Sequence, residues 1–187
     1  MFKDLVLKNR SYRRFYQEKE ISCEQLKELA YLGHMTPSAA NRQPVRFTLV
    51  YKEKDLKNVF DCVKWAGYLK DWDGPAEGER PTGYIILTAP EGLNCAQDEG
   101  IIAQTILLGA VDMGLGGCMI GNIDRNKLSA LITIPENHEI RLIIALGVPK
   151  EEVVIENIHA DGNIKYYRDE NQIHHVPKID FHEVISY

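Results

Sequence analysis

Leu26, Leu29, Ala30 and Gly33 fall at helical spacing behind Ser22-Cys23-Glu24-Gln25. Ser22 and Gln25 stand three residues apart, so each side chain can take an N–H group that a first helical turn leaves without a partner. The pattern predicts a helix from about Cys23 to His34. From Arg46 to Tyr51, β-branched and aromatic residues alternate and predict a strand. Helical period returns from Lys54 to Val63 through Leu56, Val59, Phe60 and Val63. Between Trp65 and Thr82 the periodicity dissolves. That stretch mixes Gly67, Gly74, Pro75, Gly78 and Pro81 with Trp65, Tyr68 and Trp72, and reads as a long aromatic loop of the kind that covers a site.

Tyr84 to Thr88 is a short apolar run suited to a buried strand. Gln97 to Met113 is the strongest helical stretch, and its apolar residues cover nearly every face, which predicts a central position. Gly117 to Ile120 and Ile140 to Val148 supply two more buried strands, the second closing at Gly147-Val148-Pro149. Ile164 to Arg168 and Ile173 to Val176 alternate on either side of Asp169-Glu170-Asn171-Gln172 and predict a hairpin. Helices and scattered strands together indicate an α+β layer fold. The tail hairpin, lying after the main body closes, is well placed to wrap a partner chain.

At 187 residues the chain has the length of one globular domain, for which roughly 100–200 residues is usual. A net charge of −5 argues against a general nucleic-acid binder, so any anion site must be local. The first ten residues mix charges into the apolar positions and do not form a signal peptide. The run from Ile101 to Val111, broken by Gln104 and Thr105, falls short of the roughly 20 residues that a membrane span needs. The expectation is a cytoplasmic protein without membrane contact. Cys23, Cys62, Cys95 and Cys118 lie far apart, mostly among apolar neighbours, and predict buried, reduced thiols rather than disulfides or a zinc site.

Two stretches carry candidate chemistry: Arg10-Ser11-Tyr12-Arg13-Arg14-Phe15 and Pro37-Ser38-Ala39-Ala40-Asn41-Arg42-Gln43-Pro44. Arginine offers a fixed fork of donors to phosphate, and a Ser hydroxyl with nearby N–H groups can complete an anion site. Asn41 and Gln43 donate and accept at once, which suits the edge of a heterocycle such as a flavin ring. Gly114-Leu115-Gly116-Gly117 follows a helix and has Met119 at the third glycine position, so the dinucleotide fingerprint fails. His174 and His175, adjacent on a strand, face opposite sides and cannot chelate one metal. There is no nucleophile elbow of the Gly-x-Ser-x-Gly type.

In order along the chain, these pieces resemble the nitroreductase family of flavin-dependent oxidoreductases. Arg10-Ser11-Tyr12-Arg13 with Phe15 is similar to the family's basic N-terminal signature, and Pro37 to Pro44 to its Pro-Ser-x-x-Asn-x-Gln-Pro element. Asp98 to Gln104 resembles the start of the family's central dimer helix, Gly114 to Gly121 the turn and strand at the flavin, and Leu146-Gly147-Val148-Pro149 the final core strand. The resemblance implies an α+β fold over residues 1–187, with a mixed or antiparallel sheet flanked by helices. From about residue 150 to 187 a C-terminal extension would wrap the partner of a homodimer. FMN would bind at the subunit interface. Arg10, Ser11 and Arg13 would hold its phosphate and ribityl or ring oxygens, and Asn41 and Gln43 its ring edge. Pro37 and Ser38 would come from the partner's side, and Ile120, Gly121 and Asn122 would lie against the ring face. His175 or Lys178, with His174 beside them, would stand for the family's C-terminal basic pair.

The activity implied is ping-pong transfer of electrons from NADH or NADPH, through FMN, to small electron-poor acceptors such as nitroaromatics, quinones or flavins. The cofactor carries that chemistry and the protein orients and tunes it. The same resemblance admits an FMN carrier or sensor without turnover, or a related flavin enzyme of reductive dehalogenation or flavin breakdown. Val45 replaces an aromatic residue common in the family, and Asn9 a basic one.

Overall fold

The computed structural model describes residues 1–158 and 161–186. Residues 159, 160 and 187, which belong to the expected tail, lie outside them. The elements are α1 (Phe2–Lys8), α2 (Cys23–His34), β1 (Arg46–Val50), α3 (Glu53–Phe60), β2 (Gly83–Pro90), α4 (Ala96–Asp112), β3 (Gly116–Ile120), α5 (Arg125–Leu131), β4 (His138–Gly147), β5 (Val153–Asn157), β6 (Tyr167–Arg168) and β7 (His174–Lys178). Short 3₁₀ turns occupy Ala39–Asn41 and Phe181–Glu183. The fold is α+β.

An antiparallel sheet in the order β1-β2-β4-β3 forms the middle layer. Helices cover both faces, so its central strands are apolar in both directions. Ile85 and Leu87 of β2 pack with Leu26, Leu29, Ile102 and Ile106 of α2 and α4. Tyr84 and Ile86 pack on the other side with Val59 of α3, Leu128 of α5 and Trp65. This two-sided burial explains why Tyr84 to Thr88 reads as a continuous apolar run rather than an alternating one. The crossing of α2 and α4 depends on small residues. A Cβ on Gly109 would stand 2.5 Å from the Leu32 side chain, and one on Gly33 would stand 3.0 Å from Ile106.

Ser22 caps α2 as the sequence predicts, its hydroxyl accepting from the Gln25 N–H at 3.1 Å while the Gln25 side chain accepts from the Ser22 N–H at 3.0 Å. The predicted helix over 54–63 stops instead at Phe60. Beyond it the Cys62 carbonyl accepts from the Asp124 N–H at 2.8 Å and Val63 forms a bridge with Ile123, so long-range pairing takes the backbone away from the helix. The predicted hairpin shrinks to two paired positions, Tyr167 with His175 and Arg168 with His174. Its second strand continues as β7, which also pairs in parallel with β5. Ile164 and Lys165 lie outside the strands, and Tyr166 turns toward the site described below.

The 65–82 stretch is a loop, but it is built into the body. Trp65 is buried between Phe60 and Trp72, with ring centroids 5.9 and 6.5 Å away. Glu79 accepts from Arg14 through both carboxylate oxygens, at 2.7 and 2.9 Å, and pairs with Lys150 at 2.9 Å. The Arg14 hydrogen bonds, helped by Lys150, pull the Glu79 carboxyl down to about 2. All four cysteines are free; Cys62, Cys95 and Cys118 are buried and Cys23 is half-buried. Burial pushes the Cys118 thiol up to about 12. Among the described residues no helix is long and apolar enough to cross a membrane.

Candidate functional site

Residues 9–14 form the seam that positions the first basic cluster. At the end of α1, Arg10 Nη2 donates to the Val6 carbonyl at 2.8 Å and the Tyr12 hydroxyl donates to the Lys8 carbonyl at 2.9 Å, satisfying acceptors that the helix end leaves open. The chain then runs beside β3, where the Tyr12 N–H donates to the Gly117 carbonyl at 3.0 Å and Ser11 bridges to Gly117. Only glycine fits there, since a Cβ on Gly117 would sit 2.1 Å from the Ala145 carbonyl oxygen. On its other side the seam is held by Glu151. This buried carboxylate accepts from the N–H groups of Arg13 and Arg14 and pairs with Arg168 at 3.0 Å.

The seam opens into a cavity of about 430 Å³. Arg10, Ser11 and Arg13 line it from the N-terminal side, Gln104 and Leu107 from α4, Met119 from β3, Tyr166 from the loop before β6, and His174, Val176 and Lys178 from β7. Among the described residues, no carboxylate side chain lines it. The Arg13 guanidinium lies over the Tyr166 ring, 4.9 Å from its centroid, and its Nη1 stands 3.3 Å from His174 Nε2. Burial, with Arg13 and Arg168 nearby, pushes the His174 pKa down to about 4, so its ring is neutral near pH 7. Arg10 Nε and His174 Nδ1 are buried without a hydrogen-bond partner. Buried polar atoms are normally paired, so unpaired nitrogens among convergent cations mark a place for an acceptor-rich anion. A phosphate-bearing group fits this set.

The second motif is built differently. Across 37–44 the backbone turns sharply, with φ of 51° at Ala40, 53° at Asn41 and 48° at Gln43. Left-handed backbone at residues with a Cβ costs roughly 1–3 kcal/mol each and persists only where other contacts impose it. Here Ser38 Oγ accepts from the Gln43 N–H at 3.0 Å, and Asp98 of α4 accepts from the Ala39 N–H at 3.0 Å. The Gln43 amide donates to Asn41 Oδ1 at 3.1 Å. The amides of Asn41 and Gln43 are thereby fixed together on the surface, with Pro37 exposed beside them.

Among the described residues the two motifs line different cavities. Ser38 and Gln43 line spaces on the side of α2, away from Arg10, Ser11 and Arg13. Ile120 is buried in the second core cluster, and Gly121 and Asn122 are exposed just past β3, where the Asn122 carbonyl accepts from the Lys64 N–H at 3.0 Å. Their neighbour Met119 is the β3 residue that reaches the cavity. His175 points to the other side of β7, with Nδ1 2.9 Å from Glu156 and its ring stacked on Tyr167 at 4.8 Å. His174 and Lys178 are therefore the basic residues that β7 gives to the cavity. Tyr166 and Glu151 escape a reading of the sequence, and Met119 enters it only as part of the Gly114 to Gly121 stretch. The doubled Tyr166-Tyr167 before a hairpin was the local signal for the first, and nothing local marks Glu151 as the partner of Arg13 and Arg14, 138 and 137 positions earlier.

The sequence model of the nitroreductase family matches residues 6–74 and 88–148, which include the arginine seam, the 37–44 loop, α4 and β3. A protein of Archaeoglobus fulgidus, provisionally named an NADH dehydrogenase/NAD(P)H nitroreductase, is 27% identical over 149 residues, covering 74% of this chain and 80% of its own. The crystal structure of a nitroreductase family protein from Streptococcus pneumoniae superposes with a TM-score of 0.71 at 15% identity, covering 100% of both chains. An FMN-dependent nitroreductase from Clostridium difficile superposes with a TM-score of 0.67 at 21% identity, covering 98% of this chain and 96% of the other. At these identities the two structures speak for the fold.

Proposed function

Since the chain belongs to the nitroreductase family, we propose that it is an FMN-dependent oxidoreductase that draws electrons from NADH or NADPH and reduces small electron-poor acceptors such as nitroaromatics, quinones or flavins. The observation that carries this reading is the cavity of Arg10, Ser11, Arg13 and Lys178, with its unpaired Arg10 Nε. In it the two guanidinium groups and the Lys178 ammonium hold a phosphate, while Ser11 donates to it or to the adjoining chain of hydroxyls. Bound there, FMN supplies the ping-pong transfer of electrons from nicotinamide to acceptor.

The rest of the work falls to the protein. Glu151 fixes the backbone of Arg13 and Arg14, so the donors are set before the ligand arrives and little ordering is needed on binding. His174, neutral, supports Arg13 without adding a competing charge. Asn41 and Gln43 read the ring edge, with Pro37 and Ser38 beside them. Because that loop and the Arg10 cavity are separate within one chain, a single ligand touched by both needs two protomers, and we place the 37–44 loop of each across the interface from the other's cavity. Phe2 and Leu7 on α1 and Ile101 on α4 are exposed apolar side chains that a second copy would cover. Ile120, Gly121 and Asn122 lie near Met119, at the end of β3, as the backbone that faces the ring. Buried thiols suit a reducing cytoplasm.

An absorbance spectrum of the purified protein under nitrogen tests the reading. Flavin bands near their usual positions should bleach on addition of NADH or NADPH and return with a nitroaromatic. A colourless protein that takes up no added FMN refutes it.

A further inference from the structure

A second basic site lies outside the cavity just described. A groove of about 600 Å³ opens between the end of α2 and the start of β1. Four of its lining side chains are Lys27, His34, Arg42 and Arg46, two more are the aromatic Tyr31 and Phe47, and among the described residues no carboxylate lines it. In a chain of net charge −5, Lys27, Arg42 and Arg46 are a local excess of cations facing one space. Arg46 uses Nη1 on the carbonyls of Gln43 and Val45, at 2.8 and 3.1 Å. Lys27 has only a long, exposed pair with Glu24 at 3.9 Å. Among the described residues Arg42 and His34 have no side-chain hydrogen bond or ion pair. Gln43 also lines the groove, through the left-handed turn that fixes its amide.

We propose that this groove takes the phosphates of the reduced nicotinamide nucleotide and favours the form carrying a ribose phosphate, NADPH. The proposal rests on the function argued above, because it takes Gln43 as a residue at the flavin edge, with the groove leading away from it. The volume lies within the roughly 300–1,000 Å³ typical of small-molecule sites. Each phosphate brings up to about two negative charges, so a dinucleotide phosphate can engage Lys27, Arg42 and Arg46 together. A lone carboxylate on an acceptor would leave most of them unmatched. Tyr31 and Phe47 offer faces against which a purine can stack.

The side chains of Lys27 and Arg42 are exposed, so their substitution leaves the core intact. With the flavin-loaded protein, Lys27→Ala and Arg42→Ala should each raise the KM for NADPH by about tenfold, the equivalent of one charged hydrogen bond, and that for NADH by no more than about threefold. Calorimetric titration with adenosine 2′,5′-bisphosphate should show binding to the unsubstituted protein and its loss in the double variant. An active enzyme whose KM for NADPH is unchanged in both variants overturns the proposal and leaves the flavin reading standing. A rise confined to the KM of an anionic acceptor such as nitrobenzoate also overturns it. A protein without flavin that nonetheless binds the bisphosphate through Lys27 and Arg42 supports the groove and removes the flavin reading.

Discussion

Arg10 and His175 separate two ways of reading the basic residues. Arg10→Ala should weaken FMN binding by about 1.5–3 kcal/mol, measured by fluorescence titration of the flavin-free protein, because it removes a charged donor from the cavity. His175→Ala should leave that affinity unchanged, since its imidazole is engaged with Glu156 on the other side of β7. An Arg10 variant with full affinity would exclude the assigned phosphate contact. The family resemblance left His174, His175 and Lys178 open as the C-terminal basic residues, because adjacent strand positions face opposite ways and only the pairing of β7 with β5 and β6 decides which of them face inward. His174 has its own signature. Its pKa, ordinarily near 6.5, is about 4 in the folded chain. Above pH 6.5 folded and unfolded forms are both neutral there, and between 6.5 and 4 only the unfolded form gains the proton. Stability should therefore fall as pH drops through that window. Urea midpoints at pH 7 and pH 5 should differ less in His174→Gln than in the unsubstituted protein.

At the scale of elements, the seam between residues 11–12 and β3 is the least tolerant feature. Gly117→Ala drives a methyl group into the Ala145 carbonyl, so β3 must move relative to β4. The expected cost is at the upper end of the ~1–3 kcal/mol usual for overpacking, seen as a lower melting temperature, together with loss of flavin retention because Ser11 shifts with the strand. An unchanged melting temperature would mean that the seam does not depend on this glycine. The elements that were legible in the sequence are those whose burial is local and periodic. α2 has Leu26, Leu29 and Gly33 buried beneath a reciprocal cap, and α4 buries Ile102, Ala103, Ile106, Leu107 and Ala110. α1 buries no residue and α5 only Leu128, so neither carries an amphipathic pattern to detect. β5 exists because β7 pairs with it in parallel, a partnership that no stretch of neighbouring residues announces.

For the whole molecule, two protomers per particle are expected by light scattering if, as proposed, one ligand is touched both by the Arg10 cavity of one protomer and by the 37–44 loop of the other. A monomer that still binds FMN with full affinity would contradict that arrangement. The motifs themselves were readable because the phosphate and ring-edge contacts proposed for them would demand particular side chains, whereas their separation within one chain depends on how each one packs against the rest of the fold. The cavity also joins distant parts of the chain, Val6 to Arg13 with Tyr166 to Lys178. During synthesis the central sheet, complete once β4 has left the ribosome, can close around its core while this pocket still lacks one wall. The proposed capture of FMN would then be a late event in the life of a nascent chain. A version terminated after residue 163 should retain the spectroscopic signature of the sheet yet emerge from the cell without colour.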